Sequence, residues 1–201
     1  MREIDKKTIE LAAGGDIGAF EEIYKAFSST VYTVALGVTR DRRDAEEATQ
    51  DVFVKVFLGL KRFKFGSSLG TWIYRITTNT AINIYRSGRR HRAFGTADYD
   101  EIKDNIPDRR DIFKEDIEKS HARRSIDRIL SKLSPEHRLC IVLREIEELD
   151  YKEMAQILGI PLNTVRSRLK RARAAMAVCV QKEGLDHGLP KSQRADTVGI
   201  C

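Results

Sequence analysis

"GIPLNTVRSRLKRAR", residues 159–173, carries five basic residues and no acid. Its apolar residues are spaced, not scattered. Val165, Leu169, Ala172 and, just beyond the quoted stretch, Met176 follow at intervals of four, three and four, which puts them on one stripe of a helix. Arg166, Arg168, Lys170, Arg171 and Arg173 fall elsewhere around the axis. Upstream, Tyr151, Met154, Ala155 and Leu158 face one side of a shorter helix. Asp150 is its expected cap, and Glu153 supplies the returning half of a capping box. Gly159 ends that helix and accepts the left-handed conformation a sharp turn needs. Ile160 packs under the turn, and Pro161 prevents a simple helical continuation through Ile160. Ala155 is small enough to let the two helices approach closely. The pattern predicts a helix-turn-helix.

In that motif the second helix enters the major groove by its N-terminal end. Asn163, Thr164 and Arg166 or Ser167 then meet base edges. Arg168, Lys170 and Arg171 contact mostly phosphates, which positions a domain without specifying sequence. A basic, solvated helix is the competing reading, but it accounts for the charge alone and not for turn and stripe together. The neighbouring run "REIEELDYKE", residues 144–153, holds five acids and makes this part of the chain bipolar. Those acids read as a solvated face, not as catalytic carboxylates.

Further upstream, "SPEHRLCIVLREIEEL" predicts one helix, with Ser134 as N-cap and Pro135 in the first helical position. Cys140, inside "LCIVL", reads as a small buried hydrophobe. "IEKSHARRSIDRILSKL" predicts another helix before it. Residues 93–119 hold nine acids and five bases, without a sustained apolar face, and Pro107 interrupts them. They read as an extended linker.

The first part of the chain is also helical. Phe20, Ile23, Phe27, Val31, Val34 and Val38 recur at helical spacing, in one helix or two closely packed ones. In "DRRDAEEATQDVFVKVFLGL", Asp41 or Asp44 is the cap, and Ala45, Ala48, Val52, Val56 and Leu60 face the core. The loop "KRFKFGSSLGTW" leads into "TWIYRITTNTAINIYRSGRRHR". Residues 72–92 contain five arginines and no acid, and Arg75, Asn79, Asn83 and Arg86 share a face. Phe63, Phe65, Trp72, Tyr74 and Tyr85 lie in or beside the same region. Aromatics with arginines and amides suit unpaired bases, which offer a ring to stack on and an edge to hydrogen-bond. A small domain's core would also use Trp72 and Tyr85. The helix before the loop has the opposite character, with Asp44, Glu47, Gln50, Asp51 and Lys55 along its polar side.

The bulk numbers agree with this division. A chain of 201 residues makes one large domain or two small ones. The net charge of +6 points weakly to a polyanionic partner. No apolar run is long enough to span a membrane and no signal-peptide pattern opens the chain, so the cytoplasm and no direct membrane insertion are expected. Cys140, Cys179 and Cys201 form no CxxC pair and gather no histidines, so no metal is expected. No paired carboxylates, nucleophile triad or phosphate loop suggests an enzyme or a cofactor.

Two stretches, "DAEEATQDVFVKVF" followed by "FKFGSSLGTWIYRITTNTAINIYRSGRR", and "LSPEHRLCIVLREIEELDYKEMAQILGIPLNTVRSRLKRAR", resemble the extracytoplasmic-function group of bacterial RNA polymerase sigma factors, across residues 18–177. The resemblance implies an all-α chain of two small helical domains joined by an acidic flexible linker. A region 2-like domain spans 1–92, the linker 93–118 and a region 4-like helix-turn-helix domain 119–180, with a disordered tail at 181–201. It implies Asp44, Glu47, Gln50, Asp51 and Lys55 as residues docking on the clamp helices of core polymerase, whose flap is a further contact. Phe65, Ser67, Trp72, Arg75, Asn79, Asn83, Arg86, Arg89 and Arg90 are the implied contacts with the non-template strand of the −10 element. Asn163, Thr164, Arg166, Ser167, Arg168, Lys170 and Arg171 are the implied readers of duplex −35 DNA. An anti-sigma factor is a further partner common in that family. Pro161 stands where the family often has serine, which leaves the start of the recognition helix without its usual cap. The implied function is promoter recognition and melting for core polymerase. The alternatives are a polymerase-independent helix-turn-helix regulator, which leaves the basic aromatic helix unexplained, and a protein-sequestering module, which does not predict the recognition helix.

Overall fold

The computed structural model describes residues 4–93 and 128–182, without the side chains of 90–93 and 182. All regular structure among the described residues is helical. The helices are α1 (Lys6–Ala13), α2 (Ile17–Thr39), α3 (Arg42–Gly59), α4 (Leu69–Ala93), α5 (Pro135–Ile141), α6 (Tyr151–Leu158) and α7 (Leu162–Lys182). Residues 128–131 form a further helical turn. The expectations for residues 94–118, for the tail from 183, and for most of the helix before Leu133 lie outside the described residues.

Local chemistry sets the helix starts. A helix leaves its first N–H groups without internal partners, and a short polar side chain just before it can accept from them. Asp5, Asp16, Asp41, Ser134 and Asp150 do so for α1, α2, α3, α5 and α6. The Ser68 hydroxyl accepts from the Thr71 N–H at 3.1 Å and serves α4 the same way. Between the two caps considered for α3, the structure uses Asp41. At Asp150 both halves of the expected capping box are present. Asp150→Ala should therefore lower the unfolding free energy by about 1 kcal/mol, measurable as a lower denaturation midpoint with an unchanged slope.

The apolar stripes build two clusters. One joins α1, α2, α3 and the start of α4, with Ile23, Phe27, Val31, Val52, Val56, Leu60 and Ile73 buried at its centre. The segment from Ile17 to Thr39 is one continuous helix, not two. The second cluster draws from both parts of the chain. Val34, Ala35, Val38, Tyr74 and Ala81 from the first pack with Leu139, Cys140, Val142, Leu143, Met154, Val165, Leu169 and Ala172 from the second.

Two local expectations differ from the structure. The helix expected over 134–149 is α-helical only to Ile141, then widens into a π turn at Val142–Ile146. The Glu147 N–H reaches the Val142 carbonyl, five residues back, at 3.0 Å. The run Leu139–Leu143 is wholly buried. A single helical face cannot bury five consecutive residues, and these are covered on two sides, by α2 and by α7. Likewise α6 buries Met154 and Ile157 most deeply, while Tyr151, Ala155 and Leu158 are only partly buried. It is wedged between α4 and α7, so two faces are covered where one was expected. Cys140 is the expected buried hydrophobe, and burial pushes its thiol up to about 11.

Candidate nucleic-acid interface

The turn between α6 and α7 has the expected geometry. Gly159 is left-handed (φ 62°, ψ 35°) and donates its N–H to the Ala155 carbonyl. The Ile160 N–H reaches the same carbonyl at 3.2 Å. Pro161 starts α7 without a side-chain cap: its carbonyl accepts from Thr164 N–H at 2.9 Å and Val165 N–H at 3.1 Å. Val165, Leu169 and Ala172 seat α7 in the core, with Met176 partly buried beyond them.

The opposite side of α7 faces outward. Asn163, Arg166, Ser167, Lys170 and Arg171 are exposed and Thr164 is half-buried. Arg166 donates to the Asn163 side-chain oxygen at 3.2 Å, so the two are held together over the first turn. The Ser167 hydroxyl donates to the Thr164 carbonyl at 3.0 Å. Arg168 is half-buried beside the apolar stripe, at the margin of this face. Arg173, two turns beyond Arg166, is engaged with Glu145 at 2.7 Å, a hydrogen bond that strengthens its hold on its proton. The acidic run is therefore more than a solvated face: Glu145 and Glu153 each anchor a local contact.

The second group lies on α4 and the loop before it. Phe65 is 44% exposed and sits at φ 55°, a left-handed conformation that is uncommon for a non-glycine residue. Its ring lies 4.9 Å from that of Phe63, which lies 5.2 Å from Trp72. The three rings form a row at the mouth of the loop. Trp72 is half-buried because its far edge rests on Gly59 of α3, where a Cβ would come within 2.9 Å of it. Core and surface duties are thus combined in one side chain. Ser67 is half-buried beside this row, and Asn79, Asn83 and Arg89 are exposed along α4. The Arg90 side chain lies outside the described residues. Arg75 and Arg86 are exposed but engaged, with Arg75 donating to the Gln156 carbonyl at 2.7 Å and Arg86 to Glu136 at 3.1 Å.

The third group lies on α3. Glu47, Gln50, Asp51 and Lys55 are exposed and Asp44 is half-buried. Lys55 bonds the Thr80 hydroxyl at 3.0 Å, with Asp51 3.6 Å away, so it braces α3 against α4. Two residues on this face were not picked out from the sequence. Val54 is 57% exposed and Leu58 69%. At 100° per residue they sit in the middle of the face that carries Glu47, Gln50 and Asp51. An exposed apolar pair framed by polar residues marks an interaction surface. The signal was present in "DVFVKVFL", where Val54 and Leu58 fall outside the buried stripe of Val52, Val56 and Leu60.

Comparison with known proteins identifies the family. The family profile described as Sigma-70 region 2 matches residues 23–91, and that described as Sigma-70, region 4 matches residues 123–176. The ECF RNA polymerase sigma-E factor of Escherichia coli is 32% identical over 186 residues, covering 88% of this chain and 94% of that protein. The chain belongs to the extracytoplasmic-function sigma factors of the sigma-70 family. The ECF RNA polymerase sigma factor SigE of Mycolicibacterium smegmatis is 33% identical over 80% of this chain, which spans 62% of that relative's length. The sigma factor RpoE of Bartonella quintana, solved with the anti-sigma factor NepR, shares the fold, with a TM-score of 0.64, 21% identity and coverage of 82% and 98% of the two chains. As an extracytoplasmic-function sigma factor the protein directs RNA polymerase to promoters, and it is not an enzyme. Among the described residues no helix is long and apolar enough to cross a membrane, and no cluster of histidine, cysteine and acidic residues could hold a metal.

Proposed function

We propose a division of promoter recognition among the three surfaces. The exposed face of α7, Asn163 to Arg171, reads duplex DNA at the −35 element. The ring row Phe65–Phe63–Trp72 and the α4 face bearing Arg75, Asn79, Asn83, Arg86, Arg89 and Arg90 capture unpaired non-template bases at the −10 element, with Ser67 at the loop. The face of α3 with Asp44, Glu47, Gln50, Asp51 and Lys55, extended by Val54 and Leu58, docks on core polymerase. On this reading residues 1–92 and 119–180 are the two promoter-reading domains. An anti-sigma factor, the partner with which the Bartonella protein was solved, is proposed as a regulator of this chain too.

The observation that carries the reading is chemical contrast. One helix starts beside a row of rings and carries arginines and amides along one face, another presents acids around an apolar pair, and the helix-turn-helix leaves its cationic face open. Rings and amides serve unpaired bases, whereas a duplex reader needs phosphate and base-edge contacts. A polymerase-independent regulator would have no use for the first two surfaces.

The test is initiation by purified core polymerase on a promoter library, with and without this chain. Transcripts that require both support the proposal, and a chain that neither binds core nor changes initiation defeats it. Val54→Asp combined with Leu58→Asp should weaken core binding at least tenfold, because two charges would be desolvated against the partner. Fluorescence anisotropy with labelled protein measures this, and circular dichroism checks that the exposed substitutions leave the helices intact.

A further inference from the structure

Four cations beside the ring row have no role in the surfaces described so far. Three are in the loop itself. In "KRFKF", residues 61–65, Lys61, Arg62 and Lys64 are interleaved with Phe63 and Phe65. Residues 52–97 hold nine lysines and arginines and no acid, so no neighbour in sequence neutralises them. Lys61, Arg62 and Lys64 are exposed and make no ion pair among the described residues. The fourth cation comes from α1. This helix packs against the short turn at Leu60–Arg62, which brings its first residue, Lys6, to the loop. The Lys6 Nζ lies over the Phe65 ring, 5.3 Å from its centre. That is within the distance at which a ring face attracts a cation.

Lys6 is held loosely there. Its other contact is Glu10, one turn along α1 at 3.5 Å, and both side chains are mostly exposed. An exposed ion pair of this kind is weak, because water and salt screen it. Phe65 is different: its backbone is left-handed at φ 55°, at a conformational cost, and it presents an exposed ring. A nucleotide offers both partners of the Lys6–Phe65 contact something stronger. Its base stacks on the ring, and its phosphate carries a full negative charge for the ammonium. The lysine stem is long and flexible enough to make that exchange. Rings alone would suit any flat apolar group, whereas rings interleaved with cations fit a strand that repeats base and phosphate.

We propose that α1 is a further strand-binding element, in which Lys6 yields the Phe65 ring to an unpaired base and takes the adjoining phosphate, completing a cationic rim with Lys61, Arg62 and Lys64. This role rests on the strand-capture reading of the preceding section. It extends that surface to a helix outside residues 23–91, the stretch that the region 2 profile matches.

The full-length chain, assembled with core polymerase, is titrated at several salt concentrations with a labelled non-template oligonucleotide. The oligonucleotide carries the −10 region of a promoter that supports initiation, and anisotropy reports binding. One phosphate contact with a single strand contributes about 0.7 to the slope of log affinity against log salt, which is about fivefold in affinity per tenfold in salt. Lys6→Gln should flatten the slope by that amount and bind about fivefold more weakly at low salt. Lys6→Arg keeps the charge and should restore both. Lys7→Gln makes the same charge change at the next position, about 100° round the helix, where Lys7 lines the hollow at the α1–α2 turn with Leu11 and Gly14. It should move affinity and slope less than half as far. On an abasic strand of equal length no base displaces the ammonium, so Lys6→Gln should cost less there than on the normal strand. Equal effects of Lys6→Gln and Lys7→Gln, an unmoved slope, or no rescue by Lys6→Arg overturns the phosphate contact. Equal losses on the normal and abasic strands overturn the exchange at Phe65. A wild-type holoenzyme that does not bind the normal strand overturns the strand-capture reading itself, and the role of Lys6 falls with it.

Discussion

Asn79→Ala lowers open-complex formation by about one to two orders of magnitude and leaves core polymerase binding unchanged. Asn79 is exposed on α4, on the face it shares with Arg75 and Asn83. Its amide offers a donor and an acceptor together, which matches the edge of an unpaired base. Contacts of this kind are worth about 1–3 kcal/mol per base, and every 1.4 kcal/mol is about tenfold. The proposed docking face is on α3, a different helix, so polymerase affinity stays as it was. Permanganate reactivity of unpaired thymines reports opening, and anisotropy reports core binding. Trp72→Ala is a poorer probe even though its ring borders the same surface. That ring also fills the space over Gly59, and removing it would cost about 3–5 kcal/mol of stability. With Asn79→Ala the fold is spared, so unchanged opening would remove the residue from the −10 site.

The sequence made the helix-turn-helix legible because its determinants are local. Gly159, the capping box at Asp150 and the stripe Val165–Leu169–Ala172 each act within a few residues, and each is found where periodicity and capping chemistry place it. The same holds for the stripe of α3. What the sequence left out was whatever depends on pairing across the chain. Arg138 in "PEHRLC" has no local signature of burial, and charged residues are rarely fully buried unless paired. Its partners, the Val38 carbonyl and the Tyr85 ring, lie 100 and 53 positions away in sequence. Glu147 looked like one of several solvated acids until Tyr74 was found against it. The π turn at Val142–Ile146 was hidden for the same reason: a run of five apolar residues shows that burial is extensive, but not that helices arrive from two sides. Arg75 and Arg86 were legible as a cationic face. Their engagement with the second half of the chain was not, because it needs the tertiary structure.

Arg166→Ala should cost about 1–3 kcal/mol at one base pair of the upstream element, and Lys170→Ala should weaken all upstream sequences alike. The two residues are one turn apart on the exposed face of α7, but they stand at different depths in the motif. Arg166 lies in the first turns, which enter the groove, and it is held toward Asn163 by the 3.2 Å bond between them. A planar guanidinium with a fixed partner suits a bidentate contact to a base edge. Lys170 is a turn further along, where the backbone of the duplex passes and a point charge meets phosphate. Loss of one phosphate contact should reduce the slope of log affinity against log salt by about 0.9 and leave sequence preference intact. The holoenzyme, titrated with a panel of singly substituted upstream duplexes at several salt concentrations, separates the two. Arg166→Ala should flatten discrimination at one position with little change in slope. If it instead weakens every duplex equally and lowers the slope, then Arg166 is a phosphate contact and the base reader is elsewhere on the first turn, at Asn163, Thr164 or Ser167.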